Sequence, residues 1–234
     1  MAYESKLSQF RGVGKKPALP QIIELIPEFE KGIPVKLNRK NADSPAVFYQ
    51  EQLDKDKLRL SAIDDIPAKI ELKKELIKNY EALIKQFLAG NKAEKSIVAE
   101  IMVWLFDVSE VETALLVAFG LIDINQPMPG KFNSNTTIQM FVCRSVGEWA
   151  RPLLKNKLSA SPYLGWLIEK IDGDFWDLPA ALASEIYVLQ AKFKFEEEQW
   201  ADVVSLVDKA EKVNPESYGA KTLRSNALRE LKRI

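Results

Sequence analysis

Apolar residues recur at three- and four-residue steps over most of the chain beyond residue 45, and that period predicts helices. The clearest stripe runs Ile70, Leu72, Leu76, Ile77, Tyr80, Leu83, Ile84, Phe87 and Leu88. Lys73, Lys74, Lys78 and Lys85 lie among these positions with Glu71 and Glu75, so the opposite side reads as a solvated face. Asp64-Asp65 before Pro67 opens this helix, and Ala89-Gly90-Asn91 stops it. Upstream, Ser44-Pro45 offers an N-cap followed by proline at the first helical position, with Phe48, Leu53 and Leu58 at looser spacing. Residues 93–106 end in Ile101-Met102-Val103-Trp104-Leu105-Phe106, apolar nearly all round, which predicts deep burial. Asp107-Val108-Ser109-Glu110 reads as a turn and N-cap. Val111, Ala114, Leu115, Val117, Ala118, Leu121 and Ile122 then carry the return helix of an antiparallel hairpin, closed by Asn125-Gln126-Pro127-Met128-Pro129-Gly130.

Thr136–Lys155 reads as a further helix broken near Pro152, and residues 178–196, 199–213 and 216–232 as three more. Sustained alternation of apolar and β-branched residues is missing, so no sheet is assigned. Trp200 opens one helix and Asn214-Pro215 closes it, much as in one tetratricopeptide helix pair. A weaker echo at Leu121–Pro127 makes two imperfect copies, too few for a solenoid. The expected class is all-α: helical hairpins, a C-terminal tetratricopeptide-like helix pair and an extended N-terminal arm. Residues 1–44 form the arm, 45–157 a helical core and oligomerisation region, and 158–234 a C-terminal helical region for partner docking.

Composition sharpens this picture. Five of the twelve prolines fall within the first 45 residues, which favours extended chain with one short helix around residues 21–30. No residue is histidine, which removes the commonest general base and metal ligand. A single cysteine, Cys143, excludes an intrachain disulfide and reads as a small buried hydrophobe. The first residues lack a signal-peptide pattern and no apolar run is long enough for a membrane span, so the expectation is a cytoplasmic protein with no membrane partner.

Lysine and arginine together number 33, as do aspartate and glutamate, but the charge is segregated. Residues 1–40 hold eight basic and four acidic side chains, and residues 131–157 hold five and one. If nucleic acid is bound, the first segment is the leading candidate, through Lys6, Arg11, Lys15, Lys16, Lys36, Arg39 and Lys40. Gly12-Val13-Gly14-Lys15-Lys16 is no Walker loop, because Gln9 stands where a glycine is required and Lys16 where a hydroxyl must meet magnesium. Asp172, Asp174 and Asp177 cluster without the ligand rhythm of a calcium loop, and a turn with Asp177 capping the next helix is favoured. The hairpin 93–123 holds more apolar surface than two helices bury on each other, which nominates Ile101, Trp104, Leu105, Leu115, Leu116 and Phe119 for oligomerisation.

Met102-Val103-Trp104-Leu105-Phe106-Asp107, the acidic helix with Ala114-Leu115, Met128-Pro129-Gly130-Lys131 and the helix with Phe141-Val142 follow one another in an order that resembles the terminase small subunit of temperate phages with contractile tails. Tyr49-Gln50-Glu51-Gln52-Leu53, Lys73-Lys74-Glu75-Leu76 and the helix pair around Phe195–Val213 extend the resemblance over about residues 46–231. It implies a non-catalytic subunit without cofactor, working in the cytoplasm of the infected bacterial host. Such a subunit recognises the packaging site on double-stranded viral DNA, assembles as a ring-like homo-oligomer and delivers DNA to the terminase large subunit, which holds the ATPase and endonuclease. The rival expectation is a helical adaptor or scaffold that never touches DNA. Metal-dependent cleavage through Asp172, Asp174 and Asp177 is a remote third.

Overall fold

The computed structural model describes residues 45–216 and 219–233. The proline-rich arm, its expected short helix and the Ser44 cap lie outside them. Among the described residues every regular element is a helix, the all-α class expected. The chain forms two compact units that divide after Gln126.

In the first unit the helices are α1 (Pro45–Ser61), α2 (Ile66–Ile77), α3 (Glu81–Leu88), α4 (Lys95–Asp107) and α5 (Val111–Asp123). The loose apolar spacing of α1 has a simple cause: its inward face is Leu53, Asp56 and Leu60, with a carboxylate at one core position. Asp65 caps α2 by accepting the Ala68 N–H at 2.8 Å, and proline occupies the first turn. The expected single stripe from Ile70 to Leu88 is not one helix. A 3₁₀ turn at Lys78–Tyr80 interrupts it and leaves Tyr80 wholly buried. Helix α4 buries every residue from Ile97 to Leu105, and this is possible because α1, α2, α3 and α5 all pack against it. A helix that is apolar all round must be covered all round.

Six of the described helices end with the same closure. A left-handed residue donates its N–H to the carbonyl three back, and the next N–H reaches the carbonyl five back; the left-handed positions are Gly90, Ser109, Asn125, Lys157, Asp174 and Glu198. The stretch Asp107–Glu110 makes the expected turn: Ser109 sits at φ 65° and terminates α4, and Glu110 stands at the N-cap position of α5 without a side-chain hydrogen bond.

The second unit contains α6 (Ile138–Lys155), α7 (Tyr163–Asp172), α8 (Ala180–Glu196), α9 (Trp200–Val213) and α10 (Lys221–Leu231). Within this unit the inward face of α6, centred on Val142, Cys143 and Val146, packs on α7 and α8. Thr137 caps α6 by accepting the Met140 N–H at 3.2 Å. The helix then runs through Pro152 rather than breaking there, since one turn more brings it to its end at Lys155. Helix α7 is an addition to the expected elements. Its signal, Leu164, Leu167, Ile168 and Ile171 at helical spacing, spans only ten residues. Helices α8 and α9 pack as a pair, with Phe195 and Trp200 edge to face at 4.9 Å across their connection. Asp177 caps nothing: α8 starts after Pro179 with no side-chain hydrogen bond.

Two glycines test these closures in opposite directions. Gly165 lies inside α7 with open space where a Cβ would go, whereas Gly90 sits at φ +73°. Gly165→Ala should stabilise the protein by about 0.5–1 kcal/mol, and Gly90→Ala should destabilise it by about 1 kcal/mol. Chemical denaturation reads both, and equal signs would contradict the helix-end geometry.

Candidate functional site

The first unit is organised around a polar contact inside its apolar core. Asp56 is fully buried, and its carboxylate accepts from the Tyr80 hydroxyl at 2.9 Å and from Gln52 Nε2 at 3.0 Å, with Arg59 at 3.5 Å. The Tyr80 ring stands edge-on to Trp104 at 6.0 Å and tilted beside Tyr49 at 6.1 Å. Burial, followed by the neighbouring Asp56 carboxylate, pushes the Tyr80 phenol well above its usual range. Lys57 donates to the nearly buried Glu100 at 2.6 Å, and Lys73 pairs with Asp107, so α1 and α2 are each tied to α4 by charge as well as by packing. Sequence reasoning did not find the Asp56–Tyr80 pair. The available signal was Asp56 at a core step between Leu53 and Leu60.

The structure brings the six residues nominated for oligomerisation together in this unit. Ile101, Trp104, Leu105, Leu115 and Leu116 are buried, and Phe119 is half-buried. The extra apolar surface of the hairpin is thus covered within one chain, because α1, α2 and α3 supply the walls that two helices lack.

Lys6, Arg11, Lys15, Lys16, Lys36, Arg39 and Lys40, nominated for DNA, lie outside the described residues. The second basic stretch is described. Along α6, Arg144, Arg151 and Lys155 are exposed and recur at steps of seven and four residues, with Glu148 between the first two. Arg151 is paired with Glu185, and Lys157, just past the helix, with Glu196 at 3.6 Å. Arg144 and Lys155 make no ion pair among the described residues, so they are available to an anion in solution. At the start of the stretch, the Lys131 ammonium lies 5.5 Å from the Phe132 ring, which packs edge-on to Phe141.

The three aspartates at and just beyond the end of α7 do not converge. Asp172 accepts from the Tyr187 hydroxyl at 2.8 Å and from Lys209 at 2.6 Å, bracing the end of α7 to α8 and α9. Asp174 is the left-handed closing residue, and Asp177 is exposed. Among the described residues, no group of three or more such side chains stands close enough to hold a metal ion. Cys143 is buried in α6, and burial pushes its thiol up to about 12, which keeps it protonated and unreactive at neutral pH.

Taken together, these contacts define an all-helical protein whose internal charges brace helices and whose basic side chains stand outward on α6. Residues 50–181 match the phage small terminase subunit family, more than half of the chain, and the chain belongs to that family. The match begins within α1 and ends at the head of α8, so it takes in helices of both units. No curated protein and no solved structure matches the chain. No described helix is long and apolar enough to cross a membrane.

Tyr80→Phe removes a donor from a buried carboxylate and should cost about 1–3 kcal/mol by urea denaturation; Asp56→Asn, which keeps an acceptor for the hydroxyl, should cost less. Tyr187 is also raised, by burial first and then by its bond to Asp172. Both phenols stay protonated in the folded protein beyond the unfolded value of about 10. Their stabilisation is therefore complete below that pH and is lost as pH rises toward the folded values. The melting temperature should fall above pH of about 10, and less steeply in Tyr187→Phe than in the wild type.

Proposed function

We propose that the protein is the DNA-recognition and assembly subunit of a packaging terminase from a temperate, contractile-tailed phage. In this reading it binds the packaging site on double-stranded viral DNA, assembles as a ring-like homo-oligomer and delivers the DNA to the terminase large subunit, which supplies ATPase and nuclease chemistry. The setting is the cytoplasm of the infected bacterial host. The observation that carries the proposal is the family match across residues 50–181.

The chemistry of the chain supports this division of labour. Phosphoryl transfer requires a positioned metal and cationic clamps. Here Asp172 is bound to Tyr187 and Lys209, and Asp56 to Tyr80 and Gln52, so these carboxylates serve packing. Phosphate contact falls to the cations of residues 1–40 and to Arg144 and Lys155 on α6. Repetition of both around a symmetric assembly concentrates positive charge that a neutral single chain lacks.

Deleting residues 1–16 should lower affinity for double-stranded DNA and flatten its salt dependence, by about 0.9 in log–log slope for each phosphate no longer neutralised. Fluorescence anisotropy across a salt series measures this. An unchanged slope in the deletion with a reduced slope in Arg144→Glu/Lys155→Glu would move the DNA-binding surface to α6. A purified preparation should neither hydrolyse ATP nor cut DNA with magnesium or manganese, yet should change the ATPase rate of the large subunit. Cleavage that persists through purification and vanishes in Asp172→Ala/Asp174→Ala would overturn the non-catalytic reading.

A further inference from the structure

The second unit holds a cavity of about 280 Å³ between α6, α8 and the approach to α10. Its floor is one stripe of α8, in which Ala181, Ser184, Val188 and Lys192 recur at steps of three and four. Arg151 of α6 forms one wall, and Gly219, just ahead of α10, stands on another side. Ser184 is 2% exposed, yet its Oγ has no hydrogen-bond partner among the described residues. A serine inside a helix can turn its hydroxyl to the carbonyl one turn back, here that of Ala180, but this bond is not made. A buried hydroxyl left without a partner costs free energy. At the floor of a cavity, it calls for an acceptor that the chain itself does not supply.

The charges around the cavity decide what that acceptor is. Glu185 is already engaged by Arg151, so its carboxylate is answered within the chain. Lys192 is exposed and makes no ion pair among the described residues. The Glu185 contact uses Nη2 of Arg151, and a guanidinium carries five N–H donors, so most of them remain free for a second acceptor. The uncommitted groups are therefore donors: the Ser184 hydroxyl, the Lys192 ammonium and the remaining guanidinium N–H groups. Two cations against one carboxylate leave a surplus positive charge. Donors with net positive charge fit an anion rich in acceptor oxygens. Val188 and Leu189 add an apolar wall beside them. We propose that this cavity binds a small oxyanion, a phosphate or a short-chain carboxylate, held by Ser184, Lys192 and Arg151, with any hydrocarbon portion against Val188 and Leu189. Its volume is at the small end of ligand sites, roughly 300–1,000 Å³, and suits a ligand of few heavy atoms. The ion ties α6 to α8, so its binding stabilises the folded chain as its concentration rises. This site does not depend on the packaging role.

The test is thermal unfolding of the full chain, followed by tryptophan fluorescence, in separate titrations of sodium phosphate and sodium butyrate. Sodium chloride at matched ionic strength is the reference. At least one of the two anions should raise the melting temperature along a saturable curve, and which of them does so tells phosphate from carboxylate. Ser184→Ala and Lys192→Met should each raise the half-saturating concentration by about tenfold or more, the loss expected for a hydrogen bond to a charged group. Lys78→Met removes an exposed cation of the first unit and should leave the curve unchanged. Without anion, Ser184→Ala should melt at or above the wild-type temperature, because it removes a buried hydroxyl that has no partner. That readout separates a ligand group from a structural one: a lower melting temperature would mean that the hydroxyl serves packing, and the inference would fail. It would also fail if neither anion gives a saturable rise, or if the two cavity variants respond as the wild type does. A rise given by duplex DNA and by neither small anion, and lost in Ser184→Ala, would assign the cavity to DNA instead and overturn the inference.

Discussion

A carboxylate taken wholly out of water must find donors, and the first unit is arranged around that demand. Asp56 on α1 is met by the Tyr80 hydroxyl and by Gln52, and Tyr80 can reach it because the 3₁₀ turn between α2 and α3 sets the ring inward. The same ring stands against Trp104 at the centre of α4. One hydrogen bond thereby ties α1, the α2–α3 break and the most buried helix of the unit. Losing Asp56 leaves the buried Tyr80 hydroxyl without its acceptor, and losing Tyr80 takes one donor from a buried carboxylate that then keeps Gln52 and Arg59, which is why such a pair constrains the fold more than its net contribution to stability implies.

The second unit uses a related device nearer the surface. Asp172 at the end of α7 accepts from Tyr187 on α8 and from Lys209 on α9, and the Lys209 ammonium also lies 5.9 Å from the Tyr187 ring. Three helices from separate stretches of sequence meet at one carboxylate. In both units a tyrosine hydroxyl and an aspartate specify helix positions that apolar packing alone would leave degenerate. Asp172, the first of the three clustered aspartates, is thereby occupied with architecture.

The remaining charges divide by availability. Lys57, Lys73, Arg151 and Lys157 are committed to ion pairs with Glu100, Asp107, Glu185 and Glu196, whereas Arg144 and Lys155 on α6 and Glu51 and Lys55 on α1 stand exposed without them among the described residues. These uncommitted charges are the ones on α1 and α6 that packing within the chain does not use. The apolar hairpin α4–α5, which by composition alone invited a role between subunits, is covered inside its own chain.

The sequence by itself determined what depends on near neighbours. Helical period, the Asp65 cap with its proline, the stop at Gly90 and the α4–α5 hairpin all follow from residues within a turn or two of each other, and each is present. The all-α class follows from the same local rules, and the family was legible in the order of short motifs. Tertiary structure decided the rest. The break at Lys78–Tyr80, which leaves Tyr80 wholly buried, turns on which faces become buried together. Asp56 and Tyr80 are 24 residues apart, and no local period announces that they meet. Desolvation makes the reason physical: an apolar stripe can be buried against any apolar surface, so its partner stays open in the sequence, while a buried carboxylate accepts only donors at hydrogen-bond distance, and only the folded chain brings one there.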